Sequence, residues 1–207
     1  TGVDYRRLNA EGVDDFAGLT LHTARWDHGQ DLSGKRVAVI GTGASAVQVI
    51  PEIAPIASQL TVFQRTPIWC FPRPDVPLSG ALRAGMRVPV VRSALRLASQ
   101  AFVEVTFPLA AQYAGLLPML PKQSAAFARS WLRSQVKDPV VRRKLTPDYA
   151  IGCKRPSFHN TYLSTFTRDN VHLVVDPIDR ITPNGVVTAD GTAHDVDVLI
   201  LATGFKV

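Results

Sequence analysis

Lys35-Arg36-Val37-Ala38-Val39-Ile40-Gly41-Thr42-Gly43-Ala44-Ser45-Ala46 is the stretch on which the reading of this chain turns. Four apolar residues in a row, Val37 to Ile40, describe a fully buried strand of a parallel sheet. Gly41 and Gly43 then turn the chain, and Ala44 to Ala57 is apolar enough to be the following helix. Strand, G-x-G-x-x-A turn and helix together open a dinucleotide-binding fold. Gly41 permits the tight turn, Gly43 lets a pyrophosphate approach a backbone without a Cβ, and Ala46 is small enough for helix and strand to pack. Thr42, Ala44 and Ser45 open the helix, whose free N–H groups and dipole favour phosphate. Gln48, one turn on, completes the candidate cofactor-binding set. A plain tight turn is the competing reading, and the strand before it and helix after it speak against that.

A second strand follows at Leu60-Thr61-Val62-Phe63. Folds that hold NADH carry Asp or Glu near its end, roughly 20 residues past the glycines, for the ribose 2′-OH. This chain has Gln64-Arg65-Thr66 and no acid. A carboxylate would repel a 2′-phosphate, whereas a guanidinium pairs with one in bidentate fashion. NADPH is therefore the expected cofactor, against the plainer reading of Arg65 as a solvated surface residue.

The chain of 207 residues, 46% hydrophobic and 19% charged, has the composition of a soluble globular protein of one or two domains. Cys70 and Cys153 form no C-x-x-C pair, which argues against a disulfide framework or a metal cluster and for a reducing, cytoplasmic setting. The chain does not begin with Met, so a missing native N-terminus is expected and a targeting signal is not excluded. The net charge of +6 is uneven: Ser79 to Thr146 holds 11 Lys and Arg against Glu104 and Asp138. No nucleic-acid motif accompanies that excess.

Thr1 to Ser33 reads as a polar connector, a loop with aromatic anchors, in which His22 alone would be a structural histidine. Residues 79–150 read as helical: Val91, Leu95, Ala98, Phe102 and Val105 form one stripe. Pro89, Pro108, Pro118 and Pro121 are expected to divide the region into short helices, with a later one over Phe127, Trp131 and Val136 that stops at Asp138-Pro139. A cap packed on the rest of the molecule is the expected role; contact with a membrane surface is the second reading, and Val105 to Pro121 is too short and proline-rich to span a bilayer. The end is β-rich: a strand at Val171–Val175, hairpin turns at Asn184-Gly185 and Asp190-Gly191, and a last buried strand at Val196–Leu201. The expected fold is α/β, with a parallel sheet core. The expected divisions are a connector at 1–33, a Rossmann-like nucleotide-binding domain from 34–78 and 151–207, and a helical insertion at 79–150.

Phe16-x-Gly18-x-x-x-His22-x-x-x-Trp26-Asp27, just before the glycine turn, resembles the fingerprint of Baeyer–Villiger monooxygenases. Phe63-Gln64-Arg65-Thr66-Pro67 and the Lys154-Arg155-Pro156 run are similar to segments of the same family. Ala202-Thr203-Gly204-Phe205 resembles the motif at which that family crosses back to its FAD domain, and Thr1-Gly2 the tail of an earlier crossing. The resemblance implies an FAD- and NADPH-dependent enzyme that uses O2 to insert oxygen beside a ketone carbonyl, giving an ester or lactone. It implies that Arg65, Thr66 and Lys154 hold the 2′-phosphate. It places Arg155 beside the flavin as the catalytic cation, and puts His22 and Trp26 on a hinge between domains. An Asp common shortly after K-R-P is replaced here by Ser157-Phe158-His159-Asn160. The sequence holds no second G-x-G-x-x-G, so the chain is expected to be an NADPH-binding portion that partners the FAD domain of the same parent chain and is inactive alone. Alternatives are an N- or S-oxidising flavin monooxygenase, which Trp26-Asp27 disfavours; a disulfide reductase, which lacks its C-x-x-C; and a stand-alone NADP(H)-binding module.

Overall fold

The computed structural model describes residues 6, 8–73, 75, 79–112 and 119–205. Its centre is a five-stranded parallel sheet built from β1 (Leu19–His22), β2 (Arg36–Ile40), β3 (Gln59–Phe63), β6 (Val171–Val174) and β10 (Val198–Leu201). The order across the sheet is β1-β10-β2-β3-β6. From β2 the chain moves one way, through α1 (Ala44–Ile53) to β3 and on to β6; β10 and β1 lie on the other side. The direction of winding thus reverses between β2 and β10, the place where open α/β sheets take their ligands.

Alternate residues of the central strands enter two separate cores. Val37, Val39, Leu60, Val62, Val198 and Ile200 pack with α1, with α6 (Tyr162–Thr165) and with Leu132 and Val136. Ala38, Ile40, Phe63, Leu199 and Leu201 face the other way, onto Ile181, Val186 and Val196. That second cover is an antiparallel sheet of β7 (Ile178–Thr182), β8 (Gly185–Thr188) and β9 (Ala193–Asp195). Cover on both faces is why β2 and β10 read as unbroken apolar runs. The turns before Gly185 and at Asp190-Gly191 join β7, β8 and β9, as their sequence signals require.

Between β3 and β6 the chain forms, besides α6, a two-stranded ribbon, β4 (Cys70–Phe71) with β5 (Ser157–Phe158), and four further helices among the described residues. These are α2 (Gly80–Gly85), α3 (Pro89–Gln112), α4 (Met119–Gln135) and α5 (Pro139–Lys144). Asp138 caps α5, its carboxylate accepting from the N–H groups of Val140 and Val141.

Two expectations change. The supposed connector carries β1, an edge strand of the main sheet, paired in register with β10 from Leu19↔Val198 to His22↔Leu201. Prolines do not divide the insertion as expected: Pro108 lies inside α3 and Pro121 is the third residue of α4. A proline there removes an N–H that has no partner within the helix, so α4 loses nothing by it. Pro118 lies outside the described residues. On the α3 stripe, Val91, Leu95 and Phe102 are exposed in this chain. Among the described residues no helix is long and apolar enough to cross a membrane.

Candidate nucleotide site

The carboxyl ends of β2, β3, β10 and β1 bring four separated sequence motifs to one edge of the sheet. Gly41 follows β2 with φ of +108°, and a Cβ there would stand 2.7 Å from the Ala202 carbonyl oxygen. Only glycine fits so close a crossing of the two strand ends. The Gly41 N–H donates to the Phe63 carbonyl, and the Ala202 N–H to that of Ile40.

Gly43 is different. It is the N-cap of α1, in ordinary extended geometry, and no side chain caps the helix. A Cβ added to Gly43 would meet nothing within 4 Å. The absence of a side chain therefore leaves open space above uncapped N–H groups at the positive end of a ten-residue helix. Ala44 is exposed and Ser45 half-buried, while Ala46 is fully buried against the sheet. Exposed Gln48 turns back, its Nε2 donating to the Ala44 carbonyl at 3.2 Å. Thr42 is buried, and its hydroxyl donates to the Thr66 carbonyl at 2.8 Å. That bond ties the glycine turn to the loop leaving β3.

Arg65 and Thr66 stand on that loop, in the wall of an open cleft of about 390 Å3. The facing wall comes from the end of α5 and the residues after it: Arg143, Lys144, Thr146 and Asp148. The two walls are fastened by Gln64, whose buried Nε2 donates to the Lys144 carbonyl at 2.7 Å. Sequence reasoning did not find this second wall. Its one local signal is the Asp-Pro start of a short helix that ends in three basic residues.

Lys154 reaches the same loop through a ring. Its Nζ lies 4.8 Å from the ring centroid of Tyr149. The Tyr149 hydroxyl in turn donates to the Pro67 carbonyl at 2.9 Å, and burial pushes its pKa up. Trp69 donates from its indole to the Tyr149 carbonyl. Lys154 is thus one aromatic ring from the Arg65–Pro67 loop, whereas its neighbour Arg155 is simply exposed. Cys70 is a packed thiol, buried so that its pKa rises to about 11; Cys153 is exposed, and both are free. In the stretch that departs from the family pattern, His159 accepts at Nδ1 from the Tyr162 N–H, and Asn160 accepts from the Arg73 N–H.

The fingerprint residues divide along β1. Phe16 packs into the second core, and Gly18 sits where a Cβ would stand 2.5 Å from the Asp197 carbonyl oxygen. Trp26 packs on the first core, and Asp27 accepts from the Gly29 N–H and the Gln30 side chain. His22 alone among them reaches the ligand edge. Its Nδ1 accepts from the Ala24 N–H at 3.1 Å, so Nε2 carries the proton and donates to the Thr203 hydroxyl at 3.2 Å. Thr203 then donates to the Arg6 carbonyl. Burial, helped by Arg25, lowers the His22 pKa and favours this neutral form. The fingerprint and the Ala202-Thr203-Gly204 segment are therefore joined directly across the ends of β1 and β10.

Parallel sheet, glycine turn and winding reversal define a Rossmann-type nucleotide-binding fold. A family model described as FMO-like, flavin-binding monooxygenase-like, matches residues 7–76. The chain is 41% identical over 205 residues to a Baeyer–Villiger monooxygenase of Streptomyces coelicolor, covering 95% of this chain and 37% of that one. A Baeyer–Villiger monooxygenase of Pseudomonas aeruginosa is 40% identical, with 97% and 37% covered. Among solved structures, OTEMO in complex with FAD and NADP aligns with a TM-score of 0.82 at 36% identity, covering 98% of this chain and 45% of that one. Cyclohexanone monooxygenase bound to ε-caprolactone aligns with a TM-score of 0.82 at 30% identity, covering 99% and 46%. The chain is similar to Baeyer–Villiger monooxygenases over nearly its whole length, and it spans less than half the length of these relatives.

Proposed function

We propose that this chain is the NADPH-binding part of an FAD-dependent Baeyer–Villiger monooxygenase that converts a ketone into an ester or lactone. The observation that carries the reading is the open, uncapped start of α1 at Gly43, tied by Thr42 to the loop that presents Arg65. Fixed N–H groups suit a pyrophosphate, and an exposed guanidinium at the end of β3 suits a 2′-phosphate. NADPH and FAD, the latter held chiefly by a domain of the same parent chain, would supply the hydride and oxygen chemistry. OTEMO, with FAD and NADP, and cyclohexanone monooxygenase, with a caprolactone, support the same cofactors and a small ketone as substrate.

Within that reading the residues divide the work. Gly43, Ala44 and Ser45 present N–H groups to the pyrophosphate, and Gly41 and Ala46 shape the turn. Arg65, Thr66 and Lys154 hold the ribose phosphate. Arg155, exposed beside Lys154, is the cation that steadies negative charge at the flavin during oxygen transfer. The His22–Thr203 bond sits where the chain would swing between nucleotide and flavin domains, which supports its place in a hinge. Two free cysteines favour a reducing, cytoplasmic setting.

Isothermal titration of the 207-residue chain with NADPH and NADH tests the reading. NADPH binds more tightly, by roughly 10- to 100-fold for one charge-assisted contact of ~1.5–3 kcal/mol. Arg65→Ala removes most of that preference. Equal affinities in the unmodified chain would refute it.

A further inference from the structure

α5 ends in Arg142, Arg143 and Lys144, and the three side chains have different fates. The Arg142 guanidinium turns back toward the Val136 and Lys137 carbonyls, at 3.4 and 3.5 Å. Lys144 donates from Nζ to the Leu173 carbonyl at 3.2 Å. These two close the helix end and brace it against β6. Basic residues in a last turn also suit the helix dipole, which accounts for all three equally. The dipole does not explain what sets Arg143 apart: it is exposed, lines the same cleft as Arg65 and has no ion pair or hydrogen bond from its side chain among the described residues.

The spacing between the two arginines is not left to chance. Arg65 follows Gln64, and Arg143 precedes Lys144. The buried Gln64 side chain donates to the Lys144 carbonyl at 2.7 Å. Lys144 is itself tied to the end of β6. The backbone behind both arginines is thus pinned, and both exposed residues line one open cleft. Asp148 also lines it, so the cleft holds three cations and one carboxylate and remains positive. A doubly charged oxyanion is the ligand that such a pair of planar forks accepts best.

We infer that Arg143 is a second phosphate-binding arginine, which closes with Arg65 on the 2′-phosphate of NADPH from the opposite wall of the cleft. This rests on the NADPH reading above. Its role is selectivity between phosphorylated and unphosphorylated nucleotides, because its side chain makes no ion pair or hydrogen bond among the described residues. The carboxylate of Asp148, in the same lining, disfavours a phosphate placed beside it.

Titration of the unmodified chain, Arg143→Ala, Arg143→Lys and Arg65→Ala tests this. The probes are NADPH, NADH, adenosine 2′-phosphate and adenosine 5′-phosphate, at low and high salt, with thermal melts alongside. Arg143→Ala weakens NADPH and adenosine 2′-phosphate by roughly three- to tenfold, the discount from a buried charge pair reflecting solvent exposure. NADH, adenosine 5′-phosphate and the melting temperature stay unchanged. Arg143→Lys recovers part of the loss, and added salt narrows the gap between unmodified chain and Arg143→Ala. If Arg65→Ala weakens NADPH and Arg143→Ala does not, Arg143 is only a solvated helix end and the NADPH reading stands without it. If Arg143→Ala weakens NADH as much as NADPH, its effect is not phosphate recognition and the inference is overturned. If the unmodified chain binds NADPH and NADH equally, the NADPH reading fails and this inference fails with it.

Discussion

In β2, Val37, Ala38 and Val39 are 0% exposed; in α3, Val90, Leu97 and Phe102 are 77%, 69% and 68% exposed. Both segments are regular and rich in apolar residues. The strand is covered on one face by α1 and on the other by β7–β9. The helix has no such cover among the described residues. The difference separates what holds this chain together from what it merely carries. The parallel sheet and its two covers hold the buried cores, and the nucleotide edge is built on the strand ends of that unit together with α5 and the residues after it. α3 stands outside it, so the site's geometry does not depend on how α3 is eventually covered.

That separation predicts a graded series of losses. Ile200→Ala empties a position at 0% exposure in β10, next to β2. It should cost ~2–5 kcal/mol, read as a large fall in the urea midpoint. Gly41→Ala comes next, at ~1–3 kcal/mol for a side chain forced to positive φ, with its methyl driven against the Ala202 carbonyl. Gly43→Ala should leave the midpoint almost unmoved, since its Cβ meets nothing, yet lower NADPH affinity at least roughly tenfold by filling the space a pyrophosphate needs. Leu97→Ala should shift stability least, within ~0.5 kcal/mol as at other surface positions. A Leu97→Ala loss as large as that of Ile200→Ala would erase the distinction between the two regions.

The central strands and the glycine turn were legible in the sequence because their signals are local. Four apolar residues, two glycines and a small residue fix strand, turn and helix with no reference to distant parts. β1 was not legible in this way. Leu19-Thr20-Leu21-His22 is short and mixed in polarity, and it becomes a strand by pairing with β10, some 180 residues further on. His22 and Thr203 could each be singled out by resemblance, but no spacing rule joins residues 181 positions apart. The second wall of the cleft was missed for a related reason. Arg143 looks like any surface charge until Gln64 and Lys144 show which loop its helix is pinned against. What covers α3 was not legible, because an apolar stripe states that a surface is to be covered, without stating by what. Pro121 misled for a simpler reason: the first turn of a helix has no use for the N–H that proline lacks.

The central claim is that one edge of the sheet, at the start of α1 and the exit of β3, holds the nucleotide. Backbone amide NMR of the 15N-labelled chain during titration with NADP+ tests it most directly. The account predicts saturable shifts at Ala44, Ser45, Arg65 and Thr66, smaller ones at Arg143 and Lys144, and none along α3 from Arg92 to Gln100. Shifts confined to Arg36, Asn184, Asp195 and Asp197, which line a separate hollow at the amino ends of the strands, with Ala44 to Thr66 unmoved, would contradict it.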